Sequence, residues 1–123
     1  MTGCVLLEHR LPDGSEHFDW MIEPGGDAEG LVTFRVMERI DTATGGRFPA
    51  TRLPPHREAY LDYQGPVSGG RGQVRRVARG TARIEHHGEG LFVVLADWGG
   101  GAVRYEGRSI GDDEWAFTVT RAG

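Results

Sequence analysis

Apolar and polar positions alternate with a period of two along much of this chain, most cleanly in EHFDWMIE, residues 16–23. In an extended strand Phe18, Trp20 and Ile22 share one face, and His17, Asp19, Met21 and Glu23 share the other. CVLLEH (4–9) reads as the preceding strand. PDG (12–14) reads as a turn, since proline presets φ and glycine accepts positive φ. Residues 4–9 and 17–23 are therefore expected to form a hairpin. A loop, PGGDAEG (24–30), leads to a third strand, LVTFRVM (31–37). Residues 38–55 look like a long excursion with little regular structure, and loops of that length often carry function. Further strands are expected at REAYLDYQG (57–65), QVRRVA (73–78), TARIEHH (81–87), LFVVLAD (91–97), AVRYEGR (102–108) and EWAFTVT (114–120). The dipeptide RG and the triplets GEG, GGG and GDD punctuate the later strands as turn signals. No helical period competes. The expected fold is all-β: a single domain over residues 1–123, forming a small closed or partly open β-barrel of about eight short antiparallel strands.

Composition sharpens this picture. Twenty glycines and six prolines favour short strands and tight turns. The net charge of −4 counts against non-specific coating of nucleic acid, though not against gripping a strand end through a local patch. All basic side chains are arginine, so chemistry through a lysine adduct is excluded, while forked recognition of phosphate is favoured. Cys4 is the sole cysteine and is expected to be a buried thiol. There is no basic segment followed by an apolar run, and no stretch reaches the roughly 18 apolar residues of a membrane span. A soluble, cytoplasmic protein with no membrane partner is expected.

The polar face of the second strand carries the candidate chemistry. Residues two apart lie about 6.5–7 Å from each other along one face. His17 and Asp19 can therefore converge on one ion, and the hairpin would bring His9 beside them. Two imidazoles and a carboxylate with open positions suit a divalent transition metal; manganese, zinc and iron all fit. Glu23 extends the face and could ligate a cation or bind a polar group. The plain alternative is a solvated outer face, with His9 in a loop. His56 follows a rigid Pro-Pro and precedes Tyr60 and a glycine-rich turn bearing Arg71. Gly69, Gly70 and Gly72 in that turn could offer N–H groups to an anion, although turn chemistry alone accounts for them.

Three segments, in order, resemble the phosphoesterase domain of bacterial DNA ligase D, the end-joining ligase. HRLPDGSEHFDWMIE is similar to its H-D-x-x-x-L-H-Y-D-F-R-L-E signature. HREAYLDYQGPVSGGRGQV is similar to its H-P-L-D-Y-x-D-F-E-G segment and the glycine-rich turn after it. VRYEGRSIGDDEWAFTVTRA is similar to its L-x-G-x-W-x-L-x-R ending. The resemblance implies a small β-barrel that binds manganese, which makes manganese the expected ion and leaves zinc, allowed by the donor types, as the alternative. Such an enzyme trims 3′ ends, removing a terminal ribonucleoside and then the 3′-phosphate. It also implies His9, His17 and Asp19 as metal ligands, His56 on the scissile phosphate, and Tyr60 in the same site. Arg47 or Arg52 would be the phosphate-binding arginine ahead of that histidine. Two departures stand out. Met21 occupies the family's arginine position, leaving Arg10 or Arg52 to supply the charge, and the glycine-rich turn is shorter and lacks its glutamate.

The expected activity is thus a metal-dependent 3′-phosphoesterase acting in DNA repair, with Arg10, Glu23 and Arg71 as substrate-binding groups. Its partners would be DNA or RNA-tipped DNA 3′ ends and a separate end-joining ligase or polymerase. The alternatives are a non-catalytic module that binds DNA ends or a repair partner, and a barrel that holds a small ligand in its interior.

Overall fold

In a computed structural model, which describes residues 1–26 and 29–121, the alternation seen in the sequence becomes two buried faces of one sheet. The strands are β1 (Thr2–Arg10), β2 (Glu16–Ile22), β3 (Leu31–Val36), β4 (Gly45–His56), β5 (Gly65–Pro66), β6 (Gln73–His87), β7 (Leu91–Asp97), β8 (Ala102–Gly111) and β9 (Glu114–Arg121). All pairings are antiparallel, in the order β1-β2-β3-β4-β9-β8-β7-β6, and a β1–β6 pairing closes the ring. The two-residue β5 is appended to β6. The fold is all-β, a small, partly open barrel. Residues 27 and 28 of the loop expected at 24–30 lie outside the described residues. Among the described residues no helix is long and apolar enough to cross a membrane.

The ring is uneven because two strands divide their length between neighbours. Residues 45–51 of β4 pair with β9, and residues 51–56 pair with β3. Much of β4 is therefore an edge on one side, where a proline's missing N–H costs no ladder bond. That is how Pro49, Pro54 and Pro55 sit in a strand that the sequence reading made an irregular excursion. Likewise β6 is one strand of 15 residues. Its first part pairs with β1 and its last part with β7. Gly80 is not a turn there: a Cβ on it would lie 2.2 Å from the Asp97 carbonyl oxygen, so it permits a close backbone approach. The segment expected as a strand at 57–65 contains a 3₁₀ turn, Glu58–Leu61, before β5.

The barrel interior is filled by side chains. Trp20, Phe34, Phe48, Phe92, Tyr105 and Phe117 belong to one buried cluster and meet at ring centroid distances such as 4.9 Å for Trp20–Tyr105 and 5.0 Å for Phe34–Phe117. The one hydroxyl among these rings is satisfied: Tyr105 donates to the Ile40 carbonyl at 2.8 Å and accepts from Trp98 Nε1 at 2.9 Å. Burial pushes the Tyr105 phenol up to about 12, and the Cys4 thiol likewise to about 12.

A second, smaller cluster lies on the outer face of the same strands. Val5 and Leu7 of β1, Met21 of β2 and Leu31 of β3 pack with Val67 and Val74, and Tyr60 and Leu61 lie against them. Their neighbours Cys4, Leu6, Trp20, Ile22 and Val32 point inward. Segment 57–72 therefore covers an outer wall that would otherwise face water.

Candidate metal centre and its cleft

The polar end of this covered wall holds the candidate site. β1 and β2 pair so that His9 stands opposite His17 and Leu7 opposite Asp19. The hairpin brings the two imidazole rings to a centroid separation of 4.8 Å. His9, His17 and Asp19 each offer a ligand atom, and these atoms all lie within 4.8 Å of one another. Asp19 sits between the rings. Its Oδ2 is 3.1 Å from His9 Nδ1, and its Oδ1 is 3.1 Å from His17 Nε2. Metal–ligand bonds of about 2.0–2.2 Å set adjacent ligand atoms roughly 3.0–3.5 Å apart in octahedral or tetrahedral geometry. The triad could hold a metal ion.

Two features of the triad favour a cation. His17 and Asp19 are 4% and 2% exposed. Although His17 Nε2 and Asp19 Oδ1 approach each other, neither makes a hydrogen bond of adequate geometry, and both are buried. Such orphaned polar atoms are costly unless something fills the space between them. His9 supplies the second feature. Its Nε2 lies 2.7 Å from the Arg71 carbonyl oxygen, which can only accept, so this nitrogen carries the proton. In the neutral ring Nδ1 then presents a lone pair to Asp19 Oδ2. A proton or a metal ion on that side turns the contact from repulsive to attractive. The Arg71 carbonyl orients His9 in the way an outer partner orients a metal-bound imidazole.

The triad opens into a cleft of about 550 Å³ lined by His9, His17, Asp19, Arg35, His56 and Arg71, together with the β1–β2 turn. His56, 39 positions beyond His17 in the chain, therefore faces the same pocket as the N-terminal imidazoles. Its Nδ1 donates to the Pro54 carbonyl at 2.9 Å, which leaves Nε2 as the nitrogen available to a ligand. Tyr60 does not line this cleft but borders it, in an edge contact with His56 at 5.9 Å between centroids. The Arg71 side chain folds onto Ser68, with Nε 2.7 Å from the Ser68 carbonyl. The centre lies on the outer face of the β1–β2 hairpin, with Leu53, His56, Gly70 and Arg71 lining the same cleft.

Besides Tyr60, four expected site residues are not brought into the cleft. Arg52 stands opposite Phe34, an inward residue, with its guanidinium 5.2 Å from that ring. Burial lowers its pKa, partly offset by Asp113. Arg47 stands opposite Thr118, on the far side of β4 from the site. Arg10 is exposed and paired with Glu16 at 3.0 Å. Glu23 accepts from the Gly3 N–H at 3.1 Å, tying down the other end of β2.

The sequence reading missed Arg35, which is exposed, stands directly opposite Asp19 across the β2–β3 pair and lines the cleft. The signal was present: in LVTFRVM, Val32, Phe34 and Val36 form the inward set, so Arg35 had to point outward beside the β2 polar face.

Compared with known proteins, the sequence matches no family model. No curated protein gives a significant match.

Proposed function

We propose that this protein is a metal-dependent phosphoesterase that trims the 3′ ends of nucleic acid, removing a terminal ribonucleoside or phosphate. The observation that carries the reading is the pair of buried, unpartnered ligand atoms on His17 and Asp19, opening into a cleft with an imidazole and two arginines. A divalent ion held by His9, His17 and Asp19 would act as a Lewis acid and lower the pKa of bound water. Manganese is the first metal to test and zinc the second, since an N₂O donor set with open positions suits both.

The remaining work falls to the chain's own side chains. Arg35 has neither an ion-pair nor a hydrogen-bond partner among the described residues and borders the cleft, so its fork is free for phosphate oxygens. It offers a guanidinium in place of the one that the ligase D resemblance would put at position 21. Met21 itself is buried against the outer apolar cluster and cannot serve. His56 Nε2, on a ring fixed by its Nδ1–H bond to Pro54, carries the lone pair of the neutral ring and can take a proton from an attacking water, then return it from the imidazolium to a leaving oxygen. The backbone of 68–72 holds His9 through Arg71 and walls the site.

The test incubates purified protein and manganese with a duplex ending in a 3′-phosphate or a single 3′-ribonucleotide. Trimming is expected, and it is abolished in His17→Ala. Unchanged ends at high protein, with tight binding of the same duplex, would replace the enzyme by an end-binding module acting in repair. Metal content of the purified protein, compared with that of His17→Ala, tests the ligand set separately.

A further inference from the structure

A second concavity adjoins the metal cleft, and it has a different chemistry. Arg57, Ala59, Tyr60, Tyr63, Pro66 and Ser68 enclose about 230 Å³. That is below the roughly 300–1,000 Å³ of drug-sized pockets and suits one planar ring system. Its two tyrosine rings lie 5.5 Å apart between centroids at an interplanar angle of 87°, so they form a right-angled corner. A flat aromatic group laid on one ring turns its edge to the face of the other, the arrangement aromatic quadrupoles favour. The corner is held from beneath: Tyr60 packs on the outer apolar cluster, and the Tyr63 hydroxyl donates to the Pro66 carbonyl. The Arg57 side chain has neither a hydrogen bond nor an ion pair among the described residues and supplies a cation at the rim.

Two contacts join this corner to the metal cleft. His56, on the cleft wall, touches Tyr60 edge-on. Ser68, on the corner wall, is gripped by the Arg71 side chain, with Nη2 3.2 Å from its hydroxyl. A molecule with a phosphate near Arg35 and His56 would thus have its next group delivered to the tyrosines. We propose that the Tyr60–Tyr63 corner is a nucleobase subsite, which stacks the base of the nucleotide whose 3′-phosphate occupies the cleft. This rests on the phosphoesterase reading for the identity of the phosphate. The corner has no partner specific to one base edge, so stacking there is tolerant of sequence.

The test measures binding of manganese-loaded protein to two labelled single strands. Both end in a 3′-phosphorothioate to slow turnover; one carries adenine on its last sugar and the other is abasic there. The wild type is expected to bind the adenine strand about 5- to 150-fold more tightly, the range for a base on an aromatic platform. Tyr63→Ala should erase that preference while leaving the abasic strand's affinity unchanged. Tyr63→Phe, which loses the hydroxyl contact to Pro66 but keeps the ring, should retain it. Equal wild-type affinity for the two strands, or equal weakening of both in Tyr63→Ala, overturns the base subsite; if 3′-phosphate is still hydrolysed, the phosphoesterase reading stands without it. Failure to bind either strand, with no hydrolysis, overturns both together.

Discussion

The two faces of β2 are both buried, yet they are built on opposite terms. The inward face, with Trp20 and Ile22, joins a ring-to-ring aromatic core where the Tyr105 hydroxyl has found its partners. The outward face, with His17, Asp19 and Met21, is closed off by a short covering segment and keeps two ligand atoms unsatisfied. The inward face is apolar but for the Trp20 indole N–H, a donor without an acceptor; the outward face sets a ring nitrogen and a carboxylate oxygen side by side, 3.1 Å apart, next to a cleft. The comparison teaches that burial is not by itself a sign of structural duty. What separates the faces is the kind of polar atom left unanswered: a lone indole donor among aromatic rings inside, two potential metal-ligand atoms beside a cleft outside.

The largest effect should come from the inward face. Trp20→Ala removes the ring that touches Phe34, Phe48, Tyr105 and Phe117. It should cost about 3–5 kcal/mol, read from urea unfolding, and take metal binding down with the fold. Arg35→Ala should do the reverse, lowering turnover of a 3′-phosphate end about 10²–10³-fold while unfolding free energy stays within about 0.5 kcal/mol. A variant that lost both equally would erase the distinction between the faces. His17→Ala should abolish the stabilisation that metal confers. For the wild type this is about 2.7 kcal/mol at a free metal concentration 100 times the Kd, seen as a rise in melting temperature that the variant lacks. The mildest test is titration. Cys4 and Tyr105 are acids held neutral by burial, with folded values of about 12 against ordinary values of 9.0 and 10.0. The unfolded chain releases those protons first, so stability is intact below about pH 9 and falls as pH rises toward 12. The urea midpoint followed across that range should decline. In the same experiment at pH 8, Cys4 should react with a thiol reagent only on unfolding.

What the sequence disclosed divides along similar lines. The β1–β2 hairpin, its faces and the convergence of His9, His17 and Asp19 were legible because a period of two and a Pro-Asp-Gly turn are local signals. β4 was not, because its prolines argue against a strand unless one knows that it changes partners near Thr51 and leaves edges exposed. Gly80 was misread as a turn because a glycine required by another strand's backbone looks the same in sequence as one required by φ. The covering role of 57–72 was hidden as well. Tyr60 and Leu61, expected on opposite faces of a strand, both lie on the outer cluster through a 3₁₀ turn. Assigning Arg52 to the site failed for a related reason: its inward direction is set by its pairing with Phe34, a long-range fact.

The barrel is sealed by β1 against β6, with Thr2 bonded to Ala82 across 80 positions, and the His9–Arg71 contact spans 62. The imidazole nearest the N-terminus therefore receives its orienting carbonyl from the segment that leads into β6, the strand that closes the ring on β1. A chain emerging from synthesis can bury its first hairpin early, but it cannot grip a metal in finished geometry before residue 71 has arrived. Capture of the ion would thus serve as a chemical timestamp for the docking of the 68–72 segment onto the first hairpin.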